Sequence, residues 1–117
     1  MRAAVITEPG GPDVLKVMEV DDPRPGPEEI LVDVKATALN RADTLQRQGN
    51  YPVPPGIPSD ILGLEFAGVV LEAGERVFGM AKGDRVFGLL GGGGYASRTI
   101  THHRMAIIIP DGWDFVQ

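Results

Sequence analysis

A period-two alternation of apolar and polar residues runs through most of this chain, and no segment keeps a helical period beyond about two turns. It is clearest over residues 30–38, where Ile30, Val32, Val34 and Ala36 fall on one face and Asp33, Lys35 and Thr37 on the other. Extended chain points successive side chains to opposite faces, so such a pattern suits a half-buried strand. Strand-like runs also occupy residues 2–8, 14–20, 64–73, 85–90, 95–100 and 105–109. Turn-formers separate them: Pro9-Gly10-Gly11-Pro12, Gly74-Glu75, Gly83-Asp84, Gly91-Gly92-Gly93-Gly94 and Pro110-Asp111-Gly112. Sixteen glycines and ten prolines among 117 residues could mark disorder, but Leu, Ile, Val and Phe supply 33 residues, above the disordered range. The pattern predicts an all-β domain of about eight short strands, a barrel or sandwich.

One helix interrupts it. Asn40 can cap, Asp43 follows three residues later and Gly49 can close the end, which predicts a helix near 41–48. Its apolar stripe, Ala42 and Leu45, is barely two turns long, so it must pack on the strands. Residues 50–58 hold four prolines and read as an irregular loop. The length suits one domain spanning residues 1–117.

Composition excludes several functions. The net charge of −5 argues against nucleic-acid binding, which needs a basic face. No apolar run approaches the roughly 18 residues of a membrane span, and residues 1–10 lack the pattern of a signal peptide. The absence of cysteine removes disulfides, thiolate catalysis and sulfur-ligated zinc. A cytoplasmic chain is the expectation.

Four constellations bear on chemistry. Gly91-Gly92-Gly93-Gly94-Tyr95-Ala96 matches the dinucleotide fingerprint in form. That motif works by leading into a helix N-terminus that meets a pyrophosphate, and here a strand is predicted next, so a plain turn is the better reading. His102 and His103 are the only histidines; on a strand they would point to opposite faces, which suits surface residues rather than a metal site. Glu65 sits in the apolar run 61–70, either turned outward or held by a partner. Asn40 to Tyr51 puts several hydrogen-bonding groups near one strand end, either as a cap and a packed tyrosine or as a functional loop.

Taken together, Ala38-Leu39-Asn40-Arg41-Ala42-Asp43, Gln46-Arg47-Gln48-Gly49-Asn50-Tyr51-Pro52, Leu62-Gly63-Leu64-Glu65-Phe66-Ala67-Gly68-Val69-Val70, Gly83-Asp84-Arg85-Val86 and Gly92-Gly93-Gly94-Tyr95-Ala96 carry a resemblance, as do Met1-Arg2-Ala3-Ala4 and Pro9-Gly10-Gly11-Pro12. The chain resembles the N-terminal part of the zinc-free quinone oxidoreductases, p53-inducible type, of the medium-chain dehydrogenase/reductase superfamily. The resemblance implies a GroES-like, partly open barrel that lines a substrate cleft, and NADPH-dependent reduction of quinones or activated carbonyl compounds. Zinc-dependent cousins place a cysteine ligand near the position of Asn40 and a histidine at that of Leu64; only Glu65 remains of such a set, and one carboxylate cannot hold a catalytic zinc. In the zinc-free branch the residues matching Asn40 and Tyr51 line the nicotinamide and substrate site, and Tyr51 or a water is the candidate proton donor.

The resemblance further implies a nucleotide-binding Rossmann domain and a C-terminal return that covers part of the barrel. Neither is among these 117 residues, so this chain by itself is expected to turn over no substrate. Apolar runs such as 105–109 or 66–71 are expected to lie bare and to drive self-association as a homo-oligomer. The competing reading is a non-catalytic GroES-like interaction module.

Overall fold

The computed structural model describes residues 1–53, 55 and 60–117; residues 54 and 56–59 of the proline loop lie outside them. The described residues form β1 (Arg2–Ile6), β2 (Leu15–Glu19), β3 (Glu29–Ala36), α1 (Arg41–Arg47), β4 (Glu65–Ala73), β5 (Arg85–Leu89), β6 (Arg98–His102) and β7 (Ala106–Ile108). β1 and β2 pair as an antiparallel ribbon. The other five make an antiparallel sheet in the order β6-β3-β4-β5-β7.

That order forces curvature. β6 and β7 are the outer strands, yet only the turn His103–Met105 separates them in sequence. Four spacings of about 4.8 Å would put them roughly 19 Å apart in a flat sheet, whereas four residue steps span at most about 14 Å. The sheet curls into a half-barrel that brings its two ends together. Ile30, Val32, Phe66, Val70, Val86 and Ala106 pack inside the curl. A second cluster, Ala3, Val5 and Ile61 with Val20 and Ala96, seats the ribbon on it, through bridges Ala3 to Ala96 and Val5 to Ile61.

The alternation read from residues 30–38 holds at its centre: Ile30 and Val32 are fully enclosed and Lys35 is exposed. Leu31 is buried as well, and Val34 is only half-buried where the register with β4 shifts. The helix appears at its predicted place, with Gly49 just past its end at φ +84°. Among the described residues there are seven strands rather than about eight. The strand predicted over 95–100 begins only at Arg98, because Tyr95 pairs elsewhere: its N–H donates to the Leu62 carbonyl and its carbonyl accepts from Ala4 N–H, both at 2.8 Å. Val14 belongs to the 3-10 turn Pro12–Val14, so β2 starts at Leu15.

The expected bare segments divide. Residues 66–71 are not bare, because Phe66, Ala67 and Val70 are buried by the chain's own curl. In the later run Met105, Ile107 and Ile108 are exposed, and Ile107 lies in register with the exposed Phe87 of β5. Among the described residues no helix is long and apolar enough to cross a membrane.

Close packing of β3 on β4 depends on Gly68, which stands opposite Val34. A methyl group there would run into the Asp33 carbonyl oxygen and come within 2.8 Å of Val32 Cγ1. Gly68→Ala is expected to cost about 1–3 kcal/mol, as other overpacked sites do. Urea unfolding followed by circular dichroism should show a lower midpoint with an unchanged slope; an unmoved midpoint would mean that the two strands part freely.

Candidate functional site

The site grows from the end of β3. Beyond Ala36 the Thr37 hydroxyl donates to the Glu65 carbonyl at 2.8 Å, which pins the departing chain to the start of β4. Asn40 then opens α1 in an extended conformation, and Asp43 closes a capping box with it. The Asp43 Oδ2 accepts the Asn40 backbone N–H at 2.8 Å. The Asn40 side-chain amide donates from Nδ2 to Glu65 Oε2 at 3.2 Å. Glu65 is thus held by a partner, one of the two arrangements open to it from the sequence.

A cleft of about 310 Å³ lies over this pair, lined by Asn40, Tyr51, Pro52, Leu64, Glu65 and residues 89–91 at the end of β5. Asn40 and Tyr51, singled out from the sequence, therefore share one cavity with Glu65. The Tyr51 side chain is exposed and its hydroxyl has no hydrogen-bond partner among the described residues. Leucine and proline walls with a polar edge suit a neutral planar ring.

A backbone seam forms one side of the cleft. Leu90 N–H donates to the Leu64 carbonyl at 2.8 Å, Gly93 to Ile61 at 2.9 Å, Gly94 to Gly63 at 3.1 Å and Tyr95 to Leu62 at 2.8 Å. The two chains approach so closely that a Cβ on Gly63, itself at φ +111°, would lie 2.6 Å from Gly94 Cα. The four glycines thus make a turn and a seam, and the next regular element after them is β6, not a helix. Nothing here cradles a phosphate in the manner of the fingerprint.

Sequence reasoning missed one residue of this region. The sequence places Tyr95 in a glycine-rich motif and at the start of a strand without giving its side chain a role, yet its hydroxyl donates to Asp43 Oδ2. Asp43 is only 6% exposed, and its other carboxylate oxygen has no partner among the described residues. Burial, then the hydrogen bond and charge of Asp43, then the charge of Glu65, push the Tyr95 hydroxyl far above the ordinary tyrosine range. A buried acid in a helix's first turn calls for a donor, but nothing local points to a residue 52 positions away.

The histidines stand apart from this cleft. His102 Nε2 meets Glu28 Oε2 at 3.0 Å. The two rings stack with centroids 4.8 Å apart instead of pointing to opposite faces, because β6 ends at His102 and His103 enters a 3-10 turn. Among the described residues no three His, Cys, Asp or Glu side chains are grouped to hold a metal ion. A larger groove of about 610 Å³ adjoins the cleft through Glu65 and Leu89, with Phe87, Ile107 and Trp113 among its walls. Arg85 anchors its far side, donating to the Trp113 carbonyl and lying 4.8 Å over the Phe115 ring.

The sequence profile of the alcohol dehydrogenase GroES-like domain matches residues 26–111. The chain belongs to that family. Its curated relatives include a quinone oxidoreductase of Lama guanicoe, 38% identical over 117 residues, which cover 98% of this chain and 35% of the relative. The quinone oxidoreductase-like protein 2 of Rattus norvegicus is 44% identical over 111 residues, 94% of this chain and 31% of that protein. Among solved structures, the Escherichia coli quinone oxidoreductase complexed with NADPH superposes with a TM-score of 0.88 at 34% identity, covering 98% of this chain and 35% of that one. The chain spans about a third of the length of the relatives it matches. In this GroES-like domain the half-barrel, with one short α-helix among the described residues, is the family's fold.

The Tyr95 proton sets an alkaline limit. In the unfolded chain a tyrosine ionises near pH 10, whereas native Tyr95 retains its proton well above that. The raised native value stabilises the fold fully below about pH 10 and is lost as pH rises toward it. Stability is therefore expected to fall above about pH 10, and less steeply in Tyr95→Phe. Urea midpoints measured across pH 8–11 check this, and parallel curves for the two chains would exclude it.

Proposed function

We propose that this chain forms the acceptor side of a quinone-reductase active site. The cleft of Asn40, Tyr51 and Glu65 would receive the nicotinamide end of NADPH with a quinone or activated carbonyl compound against it. The observation that carries the reading is the convergence of those three side chains in one cleft with apolar walls. The positions that would bear metal ligands in zinc-dependent cousins are Asn40 and Leu64 here, and both line the cleft. That favours positioning and hydrogen bonding over Lewis-acid chemistry.

The residues fit one end of the cofactor only. Leu64, Leu89 and Leu90 suit the faces of a nicotinamide ring, and Tyr51 and Glu65 suit its polar edge. Among the described residues the pyrophosphate finds no comparable place: α1 has only seven residues, and its first turn carries Asp43 as well as Arg41. NADPH, when bound, supplies the hydride. The chain's own residues orient the acceptor and keep water from its reacting face. The Tyr51 hydroxyl donates a hydrogen bond to the acceptor's carbonyl oxygen and is the candidate proton donor. A further, nucleotide-binding domain would complete the pocket, with residues 1–117 as one catalytic domain beside it. The chain is proposed to work in the cytoplasm.

Titration of the 15N-labelled chain with reduced nicotinamide mononucleotide plus a benzoquinone analogue that accepts no hydride tests this. Saturable shifts are expected at Asn40, Leu64 and Leu90. Tyr51→Phe should weaken them about two- to tenfold, the usual worth of one hydrogen bond. Shifts confined to other faces of the barrel would overturn the reading.

A second reading, a self-associating module, has its own observation. Phe87, Leu89, Met105, Ile107 and Trp113 are exposed together along the larger groove beside β5 and β7, and bare apolar area disfavours the monomer by about 25 cal/mol per Å². We propose a homo-oligomer that covers this face. Light scattering across a concentration series is expected to show a mass rising to at least twice 12.5 kDa; a monomeric mass throughout, with cooperative unfolding, would show that the face is tolerated in water.

A further inference from the structure

Three walls of the cleft come from separate parts of the chain, and a side chain outside the cleft, Tyr95, ties one of them in place. Asn40 stands at the start of α1, Leu64 and Glu65 at the start of β4, and residues 89–91 at the end of β5. Tyr95 is mounted by its own backbone, through its N–H to Leu62 and its carbonyl to Ala4. Its hydroxyl then crosses to Asp43 on α1. The same Asp43 oxygen that accepts from Tyr95 also accepts the Asn40 N–H at 2.8 Å. Asn40 in turn donates to Glu65 at 3.2 Å.

We propose that Tyr95 and Asp43 are positioning residues of the cleft, a two-link strut that sets the direction of the Asn40 amide and, through it, the place of the Glu65 carboxylate. Its functional meaning rests on the reading of Asn40 and Glu65 as ligand-facing groups; its geometry does not.

The physical case is one of anchorage. A helix of seven residues is not stable by itself, so its orientation is whatever its ties impose. At the far end Arg47 provides a tie, with Nε donating to the Gly10 carbonyl at 3.1 Å and its own carbonyl accepting Gly10 N–H at 2.9 Å. At the near end the ties include Asp43 to Tyr95 and Asn40 to Glu65. Asp43 is buried, and a buried carboxylate is costly unless donors surround it. Removing the Tyr95 hydroxyl leaves that oxygen with the Asn40 N–H alone. The carboxylate then relaxes toward water, the first turn of α1 moves with it, and the Asn40 amide loses its aim. A hydroxyl that only stabilised the fold would leave the Asn40–Glu65 hydrogen bond intact in every molecule still folded.

Side-chain amide spectra of the ligand-free, 15N-labelled chain separate these cases. In Tyr95→Phe the exchange of the Asn40 side-chain amide with water is expected to quicken about fivefold or more, the factor that one lost hydrogen bond represents, with the shift difference between its two protons shrinking. The backbone amides of Val32 and Val70 report that the barrel is unchanged. Asp43→Ala should do the same. Asp43→Asn keeps an oxygen that can accept from both donors and should stay within about twofold of the parent. Parent-like exchange at Asn40 in a folded Tyr95→Phe chain overturns the proposal. If Tyr95→Phe does not fold, the Asp43→Ala and Asp43→Asn pair decides, and equal behaviour of those two overturns it. No ligand enters these measurements, so a failure of the quinone-reductase reading shows only in the titration and leaves this result separate.

Discussion

The backbone seam between residues 61–64 and 90–95 is the constraint on which the rest of the structure depends. Four main-chain hydrogen bonds hold it, and it exists because neither Gly63 nor Gly94 has a side chain at the point of closest approach. It joins the ribbon's core cluster to the curled sheet. It carries Leu64 into the cleft and sets Tyr95 where its hydroxyl meets α1. A side chain at Gly63 would not open a local gap alone; it would lift one wall of the cleft from the other.

Chemistry at the cleft follows from what occupies it. Where a metal would need several soft or imidazole donors, Asn40 and Leu64 offer an amide and an aliphatic chain. Glu65 is engaged by the Asn40 amide at 3.2 Å. What is left for a ligand is the Tyr51 hydroxyl, the remaining capacity of Glu65 and a set of leucine walls. That inventory recognises shape and a polar edge. It cannot carry electrons, so the redox chemistry of the proposed reaction has to come from the bound cofactor.

Much of this architecture was legible from local pattern. Period-two runs located β1, β3, β4 and β5 to within a few residues, because half-burial imposes that period directly on the chain. Asn40, Asp43 and Gly49 marked α1, since capping is chemistry between near neighbours. The resemblance singled out Asn40 and Tyr51, and the structure brings both to one cleft. What stayed hidden depends on distant partners. Tyr95 and Ala96 look like the start of a strand until β1 and residues 61–63 claim their backbone groups. Asp43 looks like a helix cap until its burial creates the need for a second donor. The histidines look like opposed strand residues until the chain turns between them.

The pairing order of the sheet also has a kinetic side. β6 lies against β3, with Glu29 opposite His102, so the chain must return across more than seventy residues before that ladder closes. Loop closure of this kind costs entropy before any contact repays it, and domains dominated by non-local pairing fold on roughly millisecond-to-second timescales. The tie between Tyr95 and Asp43 bridges 52 residues and follows the same rule. The cleft draws its walls from residues as far apart as Asn40 and Gly91, so a chain emerging during synthesis has no such cleft until both are free to fold.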